Sequence, residues 1–459
     1  MNPSNSTVSS ALLSGERRAA WSLSLIYMVR MLGLFIILPV FSLFGDHYTS
    51  STPFLIGFAI GVYGLLQASL QVPFGMLGDR IGRKRVITIG LTLMAIGSVV
   101  AALSDSVYGV ILGRALQGTG AIASTLMALA ADLTRDEQRT KVMASLGASI
   151  GFAFILSLVL GPFLLGWFSI DGLFWITAAS ALLGIVILHT AVPNPIRCQY
   201  SADTGANLAT MKRLLGNRQL QRLSLSIFML HLMITAVFFV VPLQLRDAGI
   251  TSDRQWLIYL PSVVIAIGVM VPLIIWGERK AMRAVLLLCV AGLSLTQVLF
   301  AGPIILGFGQ TVLLLFIAIT CFFSFMNTLE AVLPSLVSRM APAAAKGSAM
   351  GIYSSSQFFG AFVGGAGAGG LYGAIGPIGV YAFMGGLCLV WGALLLGFKA
   401  PKKMATHRRK LTSDEQSRPD ALLEKLQTIV GVEEVVIALD EGVAYLKVDK
   451  LRFQGELYG

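Results

Sequence analysis

The sequence predicts an all-α polytopic membrane protein with a small α+β module after its last crossing. Three observations carry this prediction. Of 459 residues, 56% are hydrophobic and only 12% charged, far more apolar than a soluble chain of this length. The charges gather at short breaks and towards the C-terminal end. Between those breaks the apolar stretches are each about the twenty residues needed to cross the hydrocarbon core as a helix.

Twelve such runs are centred near Leu32, Leu65, Ala95, Ser124, Leu156, Leu183, Val237, Ala266, Leu293, Phe322, Ala361 and Leu387. The first, from Ala19 to about Phe44, is too long for the core of a signal peptide, and no small-residue cleavage site follows it. It reads as a retained span. The breaks alternate in charge. Those after spans two, four, six, eight and ten carry Arg80, Arg83, Lys84, Arg135, Lys141, Lys212, Arg213, Arg279, Arg339 and Lys346 among others, whereas the opposite set holds Arg246 and Arg254. By the positive-inside rule both termini are expected in the cytoplasm, with the chain in the inner membrane. Trp21, Trp167, Trp256 and Trp276 fall near span ends, as interfacial anchors do. This asymmetry accounts for the net charge of +11 without nucleic acid as a partner. Cys198, Cys289, Cys321 and Cys388 are widely separated, so neither a disulfide nor a metal site is expected.

The longest internal break divides the spans six and six. The expected organisation is a cytoplasmic segment (1–19), a six-helix bundle (20–192), a linker (193–222) with a short amphipathic helix around Leu208 to Leu215, a second six-helix bundle (223–398), a charged linker (399–419) and a partial α+β module (420–459). In that module Leu422, Leu423, Leu426 and Ile429 share a helical face. Val432 to Leu439 and Val443 to Val448 alternate like strands joined at Asp440-Glu-Gly442. A helix followed by a hairpin reads as part of a ferredoxin-like unit cut short. With no CxxC pair, metal is not expected there.

Between the second and third runs lies GMLGDRIGRKR, Gly75 to Arg85, with five charged residues in one short turn. Asp79 followed by Arg80, Gly82, Arg83 and Lys84 makes a mixed-charge knot, not a plain basic patch. The pattern Gly-x-Leu-x-Asp-Arg-x-Gly-Arg-Lys resembles the signature loop between spans two and three of the major facilitator superfamily. Two further stretches resemble the same family. ILGRALQGTGAIA around Arg114 is similar to its fourth-span motif. GASIGFAFILSLVLGPFLLG, with Gly151, Gly161, Pro162 and Gly166, is similar to its antiporter motif, although Ser157 and Leu165 depart from the pattern. In span one Leu32 to Val40 resembles another antiporter element, with Ser42 in place of its second Pro.

Ionisable groups within apolar runs cost roughly 2.5–3.5 kcal/mol each to insert and so need a reason. Four stand out: Arg30, Arg114, His231 and Glu330, in spans one, four, seven and ten. The resemblance implies that these spans line a central cavity and that Arg114 serves proton coupling. Glu330 lies nine residues, roughly 13 Å, from Arg339, with Asn327 on its face. A carboxyl set among Phe322, Phe323 and Met326 is expected to be desolvated, which favours its uncharged form and suits it to load and release a proton. The alternative is a structural carboxyl paired with a basic residue such as Arg30. His231 either shares proton traffic or is a hydrogen-bonded structural residue. Asn327 and Gln357 are the expected substrate contacts.

For the loop, the resemblance implies a latch. Asp79 would meet the start of span eleven around Gly347 and Ser348 when the cytoplasmic side is closed, with Arg83 and Asp132 completing a charge relay. Loop charges that only set topology are the alternative. Together these readings point to a monomeric secondary transporter in a lipid bilayer, with no cofactor and the proton as coupling ion. It would export hydrophobic or cationic small molecules by antiport. Proton-coupled nutrient symport and a transporter-like sensor signalling through the C-terminal module are the alternatives. A membrane enzyme is disfavoured: no Walker lysine loop, catalytic triad or metal cluster is visible.

Overall fold

The computed structural model describes residues 13–194, 208–307, 311–342, 345–400, 404–412, 415, 422–423, 426–438 and 443–449. Thirteen α-helices occupy the first 400 residues of that set. They are α1 (Ser14–Phe35), α2 (Pro53–Ile81), α3 (Arg83–Ala102), α4 (Val107–Thr119), α5 (Ala123–Asp132), α6 (Asp136–Leu165), α7 (Ile170–Thr190), α8 (Leu208–Leu215), α9 (Arg218–Asp247), α10 (Trp256–Trp276), α11 (Met282–Leu306), α12 (Thr311–Met340) and α13 (Lys346–Leu396). Among the described residues, eight helical stretches are long and apolar enough to cross a membrane. Two of them, Ser252–Ile305 and Lys346–Leu396, hold 54 and 51 residues. A straight helix of 51 residues would run about 77 Å, far beyond a bilayer. Each long stretch is interrupted: the first by a π-turn over Gly277–Ala281 between α10 and α11, the second at Gly376, whose φ of 74° is followed by Pro377. Glycine accepts the left-handed backbone there, and proline cannot supply the N–H of a continuous helix.

Two apolar runs read as single spans are broken. After α1 stops at Phe35, the run continues as turns and a 3₁₀ segment, Phe41–His47. Pro39 lies four residues beyond Phe35, where its ring opposes that carbonyl. The fourth run is two helices, α4 and α5, separated at Gly120–Ile122. A break inside a membrane frees carbonyls that need donors. Arg30 meets one of them: its Nη2 donates to the Gly120 carbonyl at 3.1 Å.

Helix α13 is packed by glycine on two faces. Gly360 and Gly364 sit against the carbonyls of Phe228 and Leu232 on α9, and Gly365 and Gly369 sit against Gly57 and Pro53 on α2. Such small-residue stripes let backbones approach closely. The α2–α13 seam continues through Gly61 against Phe362, Gly64 against Phe358, and a hydrogen bond from Ser355 Oγ to the Ala68 carbonyl at 3.2 Å. On the other side α6 meets α10, with Phe163 and Trp256 ring to edge at 6.2 Å.

At the polar start of α1, Glu16 accepts from Arg135 Nε at 2.8 Å and Nη2 at 3.1 Å, from the Arg135 amide at 3.0 Å, and from the Leu13 amide at 2.9 Å. The Arg135 side-chain bonds, above all, hold its carboxyl down to about 2. A folded value below the unfolded one makes this contribution present above pH 4.5 and lost as pH falls towards about 2. Glu16→Gln is expected to lower stability by about 1.5–3 kcal/mol at neutral pH. Thermal unfolding in detergent checks this, and the difference from the parent should vanish in acid.

The second unit, Lys399–Gly459, holds a three-stranded antiparallel sheet of order β1–β3–β2: β1 (Met404–Lys410), β2 (Val432–Ala438) and β3 (Val443–Asp449). Leu422 and Leu426 pack on it with Leu411, Val435, Leu446 and Val448. The expected charged linker over 399–419 is therefore corrected, because it contains β1. Its His-Arg-Arg-Lys run disguised a strand that ends the sheet order among the described residues, a position where charged side chains are tolerated. The turn expected at 440–442 lies outside the described residues.

Candidate functional site

Three polar side chains on three helices meet where no local sequence pattern joins them. His231 on α9 places Nε2 3.2 Å from Glu330 Oε2 on α12. Gln357 on α13 places Nε2 2.7 Å from His231 Nε2 and 3.3 Å from Glu330 Oε1. The Glu330 side chain is 41% exposed, and His231 is 16% exposed. The expectation of a carboxyl enclosed by Phe322, Phe323 and Met326 is thus corrected: those three are buried, while Glu330 looks into open space. Phe323 and Met326, two turns and one turn before Glu330, share its side of the helix, but the Glu330 carboxylate reaches past them towards His231 and Gln357. Asn327, one turn away, is half-buried.

Sequence reasoning missed Tyr353. It lies four residues before Gln357, one turn along α13, and is buried. Its hydroxyl has no hydrogen-bond partner among the described residues. A phenol one turn from the only glutamine of the glycine-rich span was the available signal. Also near the trio, a cavity of about 340 Å³ lies between α8, α9, α12 and α13. Ser224 and Val337, in its lining, are seven residues from His231 and Glu330, two turns along the same faces.

Arg30 and Arg114 form a separate cluster in the first helices. Arg30, 1% exposed, donates through Nη2 to Tyr63 Oη at 3.1 Å and Gln67 Oε1 at 2.9 Å as well as to Gly120. It does not reach Glu330. Arg114 donates to Gln117 Oε1 at 2.9 Å and to the Ala59 and Ile60 carbonyls at 3.3 and 3.4 Å, and its guanidinium lies over the Tyr63 ring at 5.2 Å. Tyr63 is therefore held between two buried cations.

In the loop after α2, Gly82 with φ 99° turns the chain into α3. Arg83 then bonds both carboxylates, Asp79 at 2.8 Å and Asp132 at 2.5 Å. Gly75 lies beside Ser124, and Arg80 is exposed. Lys84 donates to the Val192 carbonyl at 2.7 Å. Gly347 is not brought to this group: it is exposed, with nothing within 4 Å of a Cβ placed on it. Helices α2 and α13 are thus joined towards the Pro53–Gly369 end, and Gly347 at the start of α13 does not meet the Asp79 group. Asp79→Asn is expected to leave the Arg83–Asp132 bond and the thermal stability in place while reducing transport about fivefold or more. Unaltered flux in reconstituted vesicles would rule the latch out.

Of the glycine stretch in α6, Gly161 packs against the Ile36 carbonyl, next to Pro162 inside the helix. Gly166 approaches the Asp253 side chain, whereas Gly147 and Gly151 face open space. Close packing is therefore confined to the Gly161–Gly166 end of this stretch.

Apolar helices of crossing length, polar groups assembled between them, and glycine seams between helices define a multi-pass transport protein. The chain belongs to the Major Facilitator Superfamily, whose model matches residues 23–329 and 223–437. It is 40% identical over 437 residues to the inner membrane transport protein YajR of Escherichia coli, covering 95% of each chain. It is 26% identical to the multidrug resistance protein MdtH of Aeromonas hydrophila, covering 78% of this chain and 88% of that one. Among solved structures, a D-xylose-proton symporter superposes with a TM-score of 0.69 at 18% identity, covering 84% of this chain and 98% of the other. The nucleoside transporter NupG gives 0.66 at 15%, covering 83% and 100%. The protein is a secondary active transporter of the inner membrane and not an enzyme.

Proposed function

We propose that the protein is a proton-coupled antiporter that exports hydrophobic or cationic small molecules by alternating access. The observation that carries this reading is the half-exposed Glu330 carboxylate bonded to His231 and Gln357. An open carboxylate attracts either a proton or a cationic group, and occupancy by one disfavours the other. That competition is the elementary requirement of antiport. The apolar lining of the cavity beside the trio, relieved by Gln221, Ser224 and Ser356, suits lipophilic solutes.

In this reading twelve crossings form two six-helix halves, with α4–α5 as one crossing and α13 as two, and both termini lie in the cytoplasm. The structure then represents the inward-open state. The α2–α13 and α6–α10 contacts close the outer side, and the Asp79 latch waits for Gly347. Arg114 and Arg30 hold Tyr63 and the α4–α5 break, and supply positive charge to the first half. The β1–β3–β2 sheet order of the C-terminal module supports a ferredoxin-like unit. The test is a proteoliposome assay of proton flux across a compound panel. Substrate-driven proton movement opposite to the substrate supports antiport, and movement in the same direction overturns it.

A further inference from the structure

We propose that Gln357 is the positioning residue through which the proton held by Glu330 and His231 acts on the α2–α13 seam. This rests on the reading of Glu330 as the proton site. The argument is a count of protons. A carboxamide nitrogen only donates, an ionised carboxylate only accepts, and an imidazole nitrogen does one or the other. With the Gln357 nitrogen directed at both His231 Nε2 and Glu330 Oε1, the imidazole nitrogen must accept. Its contact with Oε2 at 3.2 Å then closes only if Oε2 carries a proton. Remove that proton, and two acceptors face each other. Put it on Nε2 instead, and two donors face each other across 2.7 Å. Moving the proton onto the imidazole therefore requires the amide to turn or withdraw, whereas its loss from Oε2 parts the carboxylate from the ring.

Gln357 cannot do this in isolation from its helix. Two residues before it, Ser355 donates to the Ala68 carbonyl on α2, and the next residue, Phe358, presents its carbonyl to Gly64. The amide and the seam are thus on the same turn of α13. When the amide withdraws, the Tyr353 hydroxyl, one turn away and without a hydrogen-bond partner among the described residues, is the polar group on the same helix placed to take over. Other titratable groups on the packed helices lie elsewhere: Cys289 on α11 is fully buried, and Cys388 on α13 contacts Met233. Across the seam Arg30 and Arg114 hold Tyr63. Arg339 on α12 pairs with Glu278.

The experiment uses the full chain in lipid nanodiscs, with spin labels at Met76 and Lys346, both exposed at the latch end of α2 and α13. The parent's distance distribution should shift between about pH 5 and pH 8. In Gln357→Leu, and in the volume-matched Gln357→Met should the first fail to fold, the pH-driven change in population ratio is expected to shrink about tenfold. Gln357→Asn should retain part of it. A parental pH response in Gln357→Leu, with the response lost in Glu330→Gln, would overturn the role of Gln357 and leave the proton site standing. A parental response in Glu330→Gln would overturn both.

Discussion

Glu330→Gln should abolish substrate-driven proton movement, with flux in proteoliposomes falling about tenfold or more, while the protein inserts and folds as the parent does. The amide has nearly the same shape and still offers an oxygen to Gln357, but it cannot ionise. The side chain is 41% exposed, so its loss of charge leaves no unpaired ion buried in the core. Exchange of labelled for unlabelled substrate needs no net proton and should persist. That separates a lost proton site from a lost substrate site. His231→Gln should be milder, since the carboxyl can still load a proton without the imidazole. Full proton movement in Glu330→Gln would place the coupling group elsewhere.

Reading the chain alone, the location of the ionic groups was legible because membrane burial makes each one costly. Arg30, Arg114, His231 and Glu330 stand out against apolar runs for that reason, and two of them do meet. Partnership was not legible. Arg30 was a possible partner for Glu330, yet it bonds Gln67 and a carbonyl freed by the helix break at Gly120, neither of which carries charge. Gln357 was read as a substrate contact because a lone amide in a Gly/Ser-rich span has no local reason to be there. Its actual neighbours come from helices 27 and 126 residues away. Gln67 and Gln71, one turn apart in α2, were passed over because uncharged amides raise hydropathy alarms less than charges do. The interruption at Gly120 was hidden for a related reason: glycine is apolar by any count, and only the backbone shows that it turns the chain, whereas the break at Gly376 falls between the runs centred on Ala361 and Leu387. Strand β1 was missed because edge strands tolerate charge on their solvent side, so alternation gives way to a basic run.

The other large effect is expected from Gly61→Leu. A Cβ at Gly61 would lie 2.6 Å from the Phe362 carbonyl oxygen and 3.0 Å from its Cα. These are backbone atoms, so no side chain can swing aside; α2 and α13 must separate. Gly57 and Gly64, one turn either way, face Gly365 and Phe358 just as closely, so local bending offers no escape. Overpacking of this kind costs about 1–3 kcal/mol. In the alternating-access reading the seam opens without either half unfolding, so the cost falls on the state in which the seam is closed. At 1.4 kcal/mol per decade the ratio of closed to open seam should drop by about 5–150-fold, and the transport cycle, which must pass through both states, should slow accordingly. Gly61→Ala already brings the Cβ and should fall between parent and Leu. Gly268→Leu on α10, where a Cβ meets nothing within 4 Å, is the matched control and should transport normally. Accessibility of a cysteine introduced at Leu371, beside the closed end of the seam, gives an independent readout: it should rise in Gly61→Leu and stay at the parental level in Gly268→Leu. Parental transport and parental accessibility in Gly61→Leu would mean that the seam does not open during the cycle, and the alternating-access reading of α13 would fall with it.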